Sequence, residues 1–383
     1  MRRGREIWRG VGRIGIGTVG FLLAFFLVHL PHGPEHWSAD LCTALLSDQL
    51  KGQHPRIAIV EVDEQTLRES NYLSPVDRST LAAIVRGLIE ADVKVIGLDF
   101  VFDRHTEDAK DKELLDVIKG SSVPIVLGAL DEPSAENQAF ESAFLAVASR
   151  PIGHLYYGEH HNPAVITDQV IREMADPREY PGRQSFAELV ARAAGTYRPP
   201  ASLVISWLRP PKDGRETFLT LSGQDVLGRG LKDPLPLKEM LAGKIVLVGG
   251  NFIDRDQHLT PFSVLRSDWY PGVFVHAQIV AQLSDANRRP ILMLGWLGWL
   301  FLVALAAVGG FTAGRSPRLS RRRPGVEIVA VIGFIAVSVL SFEFARFVFP
   351  FIAVLLGWGW GEMVGHLHQH QGIVGKGEAS HDA

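Results

Sequence analysis

Apolar residues occur along this chain in two patterns. Four stretches are apolar almost throughout: Ile14 to Leu30, Ile291 to Thr312, Val326 to Phe342 and Phe347 to Val364. At about 1.5 Å of rise per residue, each predicts a helix that crosses a bilayer core, the first only just and the others with modest tilt. In residues 53–290 the apolar runs are short, and polar segments separate them. That second pattern belongs to a folded domain in water.

Within the middle region the spacing predicts alternating strands and helices. Arg56 to Asp63 is an apolar, β-branched run bounded by Pro55 and ending in acids, which suits a strand buried on both faces. Leu81, Ile84, Val85, Leu88 and Ile89 recur at helical intervals over 79–90, and Val93 to Asp99 is again extended. A strand, helix and strand of this length form a crossover and imply parallel pairing. The rhythm continues with a helix at 111–119, a strand at 123–127, a helix at 138–148 and a strand at 152–157. Later come a strand at 244–249 and a helix at 275–283. Residues 160–235 break it with prolines, among them Pro163, Pro177, Pro181, Pro199, Pro200, Pro210 and Pro211. They predict a helix at 184–195 and strands at 203–207 and 217–221, the last two as an antiparallel edge. Ahead of the domain, Trp37, Leu41, Ala44 and Leu45 predict a juxtamembrane helix over 36–50. The expected fold class is α/β, a mainly parallel sheet covered by helices, with four transmembrane helices, one N-terminal and three C-terminal.

Charge orients this arrangement. Arg2, Arg3, Arg5, Arg9 and Arg13 precede the first span, and Arg315, Arg318, Arg321, Arg322 and Arg323 separate the second from the third. Arginine-rich flanks are retained in the cytoplasm, so both clusters lie inside and the middle region outside. Glu343 and Arg346 then fall at an external turn. The expected layout is a cytoplasmic start and first span at 1–30, a juxtamembrane helix at 31–52, an extracytoplasmic domain at 53–290, three spans at 291–364 and a cytoplasmic tail at 365–383. A cleaved signal peptide is the competing reading of the N-terminus, but Leu30-Pro31-His32-Gly33-Pro34 is a poor cleavage site. Mean hydropathy of +0.11 over 383 residues conceals these two classes of sequence. The net charge of −3, with basic residues gathered beside the spans, argues against nucleic acid as a partner. Cys42 is the only cysteine, which rules out an intrachain disulfide and leaves an intermolecular bridge or an idle thiol.

Two groups of motifs resemble the CHASE domain of type 2, a sensory extracellular domain of bacterial receptors. The first is Ile57 to Asp63, Pro75-Val-Asp-Arg78 opening a helix, and Val95 to Phe102. The second is Gly243 to Gly249, Asp256 shortly before Thr260-Pro261, and Pro271-Gly-Val-Phe-Val-His276-Ala277. The resemblance implies a bacterial inner-membrane sensor whose domain meets an unknown small molecule or ion. Receptors of this kind often continue into a kinase or cyclase domain. Here only residues 365–383 follow the last span, so the expected output lies with a protein partner in trans.

Open parallel sheets bind ligands beyond the carboxyl ends of their strands. Those ends carry Asp63, Asp99, Asp103, Gly249, Gly250 and Asn251, and with Arg78, Asp256 and His276 they supply the candidate ligand-binding residues. Two readings stand for Asp63 and Asp99: contact with a ligand or cation, or capping of helices and loops. Two readings stand for His276 as well: a hydrogen-bonded packing residue, which is the commoner role of a lone histidine, or a partner of an acid such as Asp254 or Asp256 that responds to pH near neutrality. Gly249-Gly250-Asn251 lacks a phosphate-loop lysine, so no nucleotide cofactor is expected. Asp254, Asp256 and His258 sit close in sequence like metal ligands but equally suit a polar turn. His366, His368 and His370 alternate beside the last span. Neither a resident metal nor catalysis is expected, since there is no serine elbow or HExxH motif. The expected function is signal sensing, with a structural docking subunit of an envelope complex as the alternative and a metal-dependent hydrolase as a more distant one. A homo-oligomer is compatible with each.

Overall fold

Strands made of uninterrupted Val, Ile and Leu bury both faces, and that requirement shapes the fold. The computed structural model describes residues 34–379 apart from 69, 71–73, 131–134, 159–168, 229–235, 253–255, 267 and 317–322, together with Thr18, Phe21 and Leu22. In chain order the principal elements begin with α1 (Pro34–Leu46), β1 (Ile57–Val62), α2 (Arg78–Glu90), β2 (Val95–Asp99), α3 (Asp108–Gly120), β3 (Ile125–Ala129), α4 (Ala135–Ala148) and β4 (Ile152–His154). They continue with α5 (Phe186–Ala193), β5 (Leu219–Ser222), β6 (Ile245–Gly250), α6 (Gly272–Ser284), α7 (Trp296–Arg315), α8 (Arg323–Ala345) and α9 (Phe351–Ala379). The chain divides into two units, one from residues 47–165 and 169–290 and one from the residues that flank them.

The first unit is built on a six-stranded sheet of order β4-β3-β2-β6-β1-β5, and every neighbouring pair is parallel. The α/β class and the mainly parallel sheet expected from the sequence are present. The side chains alternate across the sheet as a two-residue period requires. Ala58, Val60, Val62, Ile96, Leu98, Val246 and Val248 face one core with α2, α3 and α4, while Ile57, Ile59, Val95, Val126, Ile245 and Leu247 face a second with α5 and α6. On that second face glycines let the helices come close. A Cβ at Gly153 would lie 2.4 Å from Phe186 Cα, so the start of α5 rests on the backbone of β4.

Two expectations for residues 200–222 need correction. β5 pairs parallel to β1, so it is no antiparallel edge. Residues 203–207 form no strand in the sheet; Val204 makes one antiparallel bridge to Glu173. Their backbone is taken by α6 instead. The buried Gln282 accepts from Ser206 N at 2.6 Å and Gln278 from Leu208 N at 2.9 Å, and both amides donate back to carbonyls of Ser202, Val204 and Leu208. Two glutamines one turn apart on a helix thus replace a neighbouring strand.

Among the described residues of the second unit, two helices are long and apolar enough to cross a membrane, Leu297–Arg315 within α7 and Pro324–Ala345 within α8. Only 28 % and 11 % of their apolar windows are buried. A core helix of a water-soluble protein would be covered, whereas α8 exposes Ile328, Val329, Ile332, Ile335 and Phe344. The predicted fourth span, 347–364, overlaps α9 only from Phe351, since Phe347 and Val348 pair as a short parallel strand with Leu292 and Met293; α9 also carries the buried Glu362 and is not among the two. The predicted first span lies outside the described residues save Thr18, Phe21 and Leu22; the Phe21 ring packs 5.4 Å from that of Trp360.

α7 and α9 are held by small residues. A Cβ on Gly310 would lie 2.0 Å from Trp358 O, on Gly314 2.1 Å from Glu362 O, and on Gly361 1.9 Å from Ala307 O. Spacing by four places these glycines on single helix faces, so the two backbones meet directly. α1 joins the same unit: Glu35 Oε2 accepts from Ala353 N at 2.9 Å in the first turn of α9, and Cys42 Sγ lies 3.7 Å from Ser338 Oγ. Arg346, just past α8, donates to the carbonyl of Leu46 at the C-terminus of α1, where carbonyls lack helical partners.

Candidate functional site

The carboxyl end of the sheet opens into a cavity of about 460 Å³. Its floor is set by Asp99, the last residue of β2, which lies opposite Gly249 of β6. Glycine is required there: a Cβ at 249 would stand 2.5 Å from Val273 Cβ and 3.2 Å from Asp99 Oδ2. Lacking one, the first turn of α6 settles onto β6 and leaves room for the carboxyl group.

α6 brings the second buried polar group. His276 is 2 % exposed and Asp99 7 %. The imidazole lies against the Tyr157 ring at 4.9 Å and edge-on to Phe186 at 5.1 Å between centroids. Its Nε2 is 3.9 Å from Asp99 Oδ1, beyond hydrogen-bond reach. The Tyr157 hydroxyl donates to Gly272 O at 3.1 Å. Among the described residues, Asp99 Oδ2 and His276 Nδ1 are buried with no hydrogen-bond partner. A native fold leaves very few such atoms, and each one costs about 1–3 kcal/mol unless something fills its need.

Asp256 forms part of the wall. Its φ of 54° turns the chain through the left-handed region, and its carbonyl accepts from Gly272 N at 3.1 Å. The carboxylate lies 2.6 Å from where a Cβ of Gly272 would stand, so it rests on the first residue of α6, where the helix dipole favours an anion. His258 Nε2 is 3.0 Å from Asp256 Oδ1. Around these polar groups stand Phe100, Tyr156, Phe252, Leu130 and Leu155.

Burial governs the charges. It pushes the Asp99 carboxyl well above its ordinary range, and the nearby Asp256 pushes it further. Burial also lowers His276 to about 3, with a smaller contribution from His258, and raises the Tyr157 phenol. At neutral pH His276 and Tyr157 are uncharged, and the charged form of Asp99 is disfavoured. Of the two readings of His276, burial leaves the packing one and removes the response near neutrality; the acid beside it is Asp99, while Asp256 pairs with His258. Asp254 lies outside the described residues.

Of the residues singled out in the sequence, the structure gathers Asp99, Gly250, Asp256, His258 and His276 around the cavity, with Gly249 behind Asp99. Asp63, Arg78, Asp103 and Asn251 stand elsewhere. Asp63 accepts from Thr66 N and Oγ1 at 2.7 and 2.6 Å and closes a turn after β1. Arg78 is buried over the Phe102 ring at 4.8 Å, with Nε 3.6 Å from Asp111 Oδ1. Asp103 accepts from Asn137 at 3.1 Å. Asn251 bridges Glu61 at 2.9 Å and Gln257 at 3.0 Å. Tyr157 was missed; its only sequence signal is its place at the end of the predicted strand 152–157. No three His, Cys, Asp or Glu among the described residues group so as to hold a metal ion. His368 lies against the Phe311 ring at 6.2 Å, and the His370 side chain is outside the described residues.

Comparison with curated proteins and with solved structures finds no match to the chain. Comparison with protein families does: residues 18–311 match the CHASE2 domain, which covers the whole sheet unit and reaches into helices on either side. The chain therefore belongs to the CHASE2 family of extracellular sensory domains.

Proposed function

We propose that the chain is a membrane-anchored receptor that binds a small molecule in the cavity at the strand ends and passes the bound state to a protein partner. One observation carries this reading: Asp99 and His276 line a cavity large enough for a small ligand, and each has a buried polar atom, Oδ2 and Nδ1, without a hydrogen-bond partner among the described residues. A purely structural pair would have been brought within hydrogen-bond distance or replaced by apolar residues.

α6 supports the transmission step. Its first turn carries the cavity contacts at Gly272 and His276, and its last turn carries Gln282, which holds the 202–208 segment. Residues 285–290 lead from it into the helical unit, and Arg289 pairs with Asp48 at 3.1 Å, joining the last and first residues of the sheet unit. A helix of 13 residues spans about 20 Å, so a shift in its first turn is felt near both exits of the chain. To move a two-state equilibrium from 1:99 to 99:1 the ligand must prefer one state by about 5.5 kcal/mol.

Thermal unfolding of the full chain in lipid nanodiscs, screened against a library of metabolites, tests the reading. A ligand at about 100 times its Kd adds about 2.7 kcal/mol, a rise of roughly 5–10 °C in Tm for a domain of this size. Asp99→Asn is expected to abolish that rise. A library that leaves Tm unmoved, or hits indifferent to Asp99→Asn, rejects the site.

A further inference from the structure

The walls of the cavity restrict the chemistry of its occupant. Among the described residues that line it are two carboxyl groups and two imidazoles, and neither lysine nor arginine. The positive end of α6, which would otherwise attract an anion, already holds the Asp256 carboxylate. An anionic ligand would therefore meet like charge. A purely apolar one would leave Asp99 Oδ2 and His276 Nδ1 unsatisfied. A bare metal ion lacks three converging ligands among the described residues. A cation with N–H donors on an apolar body suits every part: donors for Asp99 and His276, charge for Asp256, and the ring faces of Tyr156, Tyr157 and Phe252 for the cation and the body that carries it.

We propose that the cavity binds a small organic amine in its cationic form, the ammonium group on the carboxyls of Asp99 and Asp256 and the apolar body among Tyr156, Tyr157 and Phe252. This rests on the reading of the cavity as the ligand site. Burial and Asp256 disfavour the charged form of Asp99 in the unliganded protein, and the arriving ammonium stabilises that form, so binding shifts Asp99 toward its carboxylate. The groups facing it are Asp256 and His258 from the loop after β6, Tyr157 from the segment after β4, and His276 from α6. Of these, His276 and Tyr157 stay neutral near pH 7, and the variant Asp99→Asn separates a proton leaving Asp99 from one leaving any other group.

Three probes of one shape separate the charge classes: phenethylamine, phenethyl alcohol and hydrocinnamate, titrated calorimetrically into the full chain in nanodiscs. Phenethylamine is expected to bind about tenfold or more tightly than the other two, with Asp99→Asn and Asp256→Asn each weakening it by about tenfold or more. Repeating the titration in buffers of different ionisation heat should show proton release on amine binding that grows as pH is lowered toward the ordinary carboxylate range and that Asp99→Asn reduces. Equal binding of the alcohol or preference for hydrocinnamate overturns the cation assignment and leaves the ligand site standing. Failure of all three probes alongside library hits that depend on Asp99 has the same meaning. Failure of all three alongside a library without hits removes both readings.

Discussion

Asp99 and His276 make opposite contributions to stability as pH changes, and their contact in the cavity makes the opposition measurable. The folded protein holds His276 neutral down to about 3, against an ordinary value of 6.5, so below 6.5 the unfolded chain takes a proton that the fold refuses and stability falls with acid. Asp99 does the reverse. Its folded value lies well above the ordinary 3.8, so the unfolded chain releases a proton above 3.8 that the fold retains, and stability falls as pH rises. Each slope approaches about 1.4 kcal/mol per pH unit where it acts alone. Below 6.5, and from 3.8 up to the raised folded value of Asp99, the two oppose each other, and the natural protein is expected to show a smaller slope there than either variant. Asp99→Asn should leave the histidine slope exposed, so that stability drops toward acid. His276→Gln should leave the carboxyl slope, so that stability climbs toward acid. Denaturant titrations of the full chain at pH 4, 5 and 6 read both, and parallel profiles for the two variants would contradict the burial argument.

At the level of elements, α6 is the piece on which most depends. Gln282→Leu removes the acceptor for Ser206 N and the donor to Ser202 and Val204, leaving buried backbone groups unpaired, so a loss of about 1–3 kcal/mol is expected in equilibrium unfolding. In the helical unit, Gly361→Leu places a side chain where even a Cβ would meet Ala307 O at 1.9 Å; α7 and α9 should separate, and a lowered Tm in detergent would report it. The sequence made these elements legible unevenly. Strands of unbroken Val and Ile announced themselves because double burial leaves no polar position, and the helices between them showed their 3.6-residue period. Segment 203–207 misled because Leu203 to Trp207 is apolar like a strand, yet its backbone is shared between the backbone of Arg172 to Met174 and glutamine side chains seventy to eighty residues away, which no local pattern encodes. Asp63 and Asp99 look alike in sequence, each closing an apolar run. What separates them is tertiary: Thr66 lies within reach of the first, while Gly249 and α6 enclose the second.

At the level of the whole molecule, the receptor reading needs the sheet unit outside and the arginine-rich segment after α7 inside. The argument is electrostatic, since arginine-rich flanks resist translocation while a folded domain of mixed charge does not. Cysteine labelling in intact cells tests it directly, because Cys42 is the only native thiol and Cys42→Ser leaves a silent background. Lys212→Cys, on an exposed loop of the sheet unit, is expected to react with a membrane-impermeant maleimide in intact cells, whereas Ser316→Cys, following α7, should react only after permeabilisation. A third site decides the number of crossings. α9 carries Glu362, His366 and His368 beside its glycine face and does not have the uniform apolarity of α7 and α8. It crosses only if those groups are covered by neighbouring helices, as the backbone contact of Gly314 with Glu362 suggests for one of them. If it crosses, Ser380→Cys is protected in intact cells. If Ser380→Cys labels alongside Lys212→Cys, α9 lies on the outer side and the chain crosses three times. Labelling of Ser316→Cys without Lys212→Cys would put the cavity on the cytoplasmic side, where an extracellular signal could not reach it.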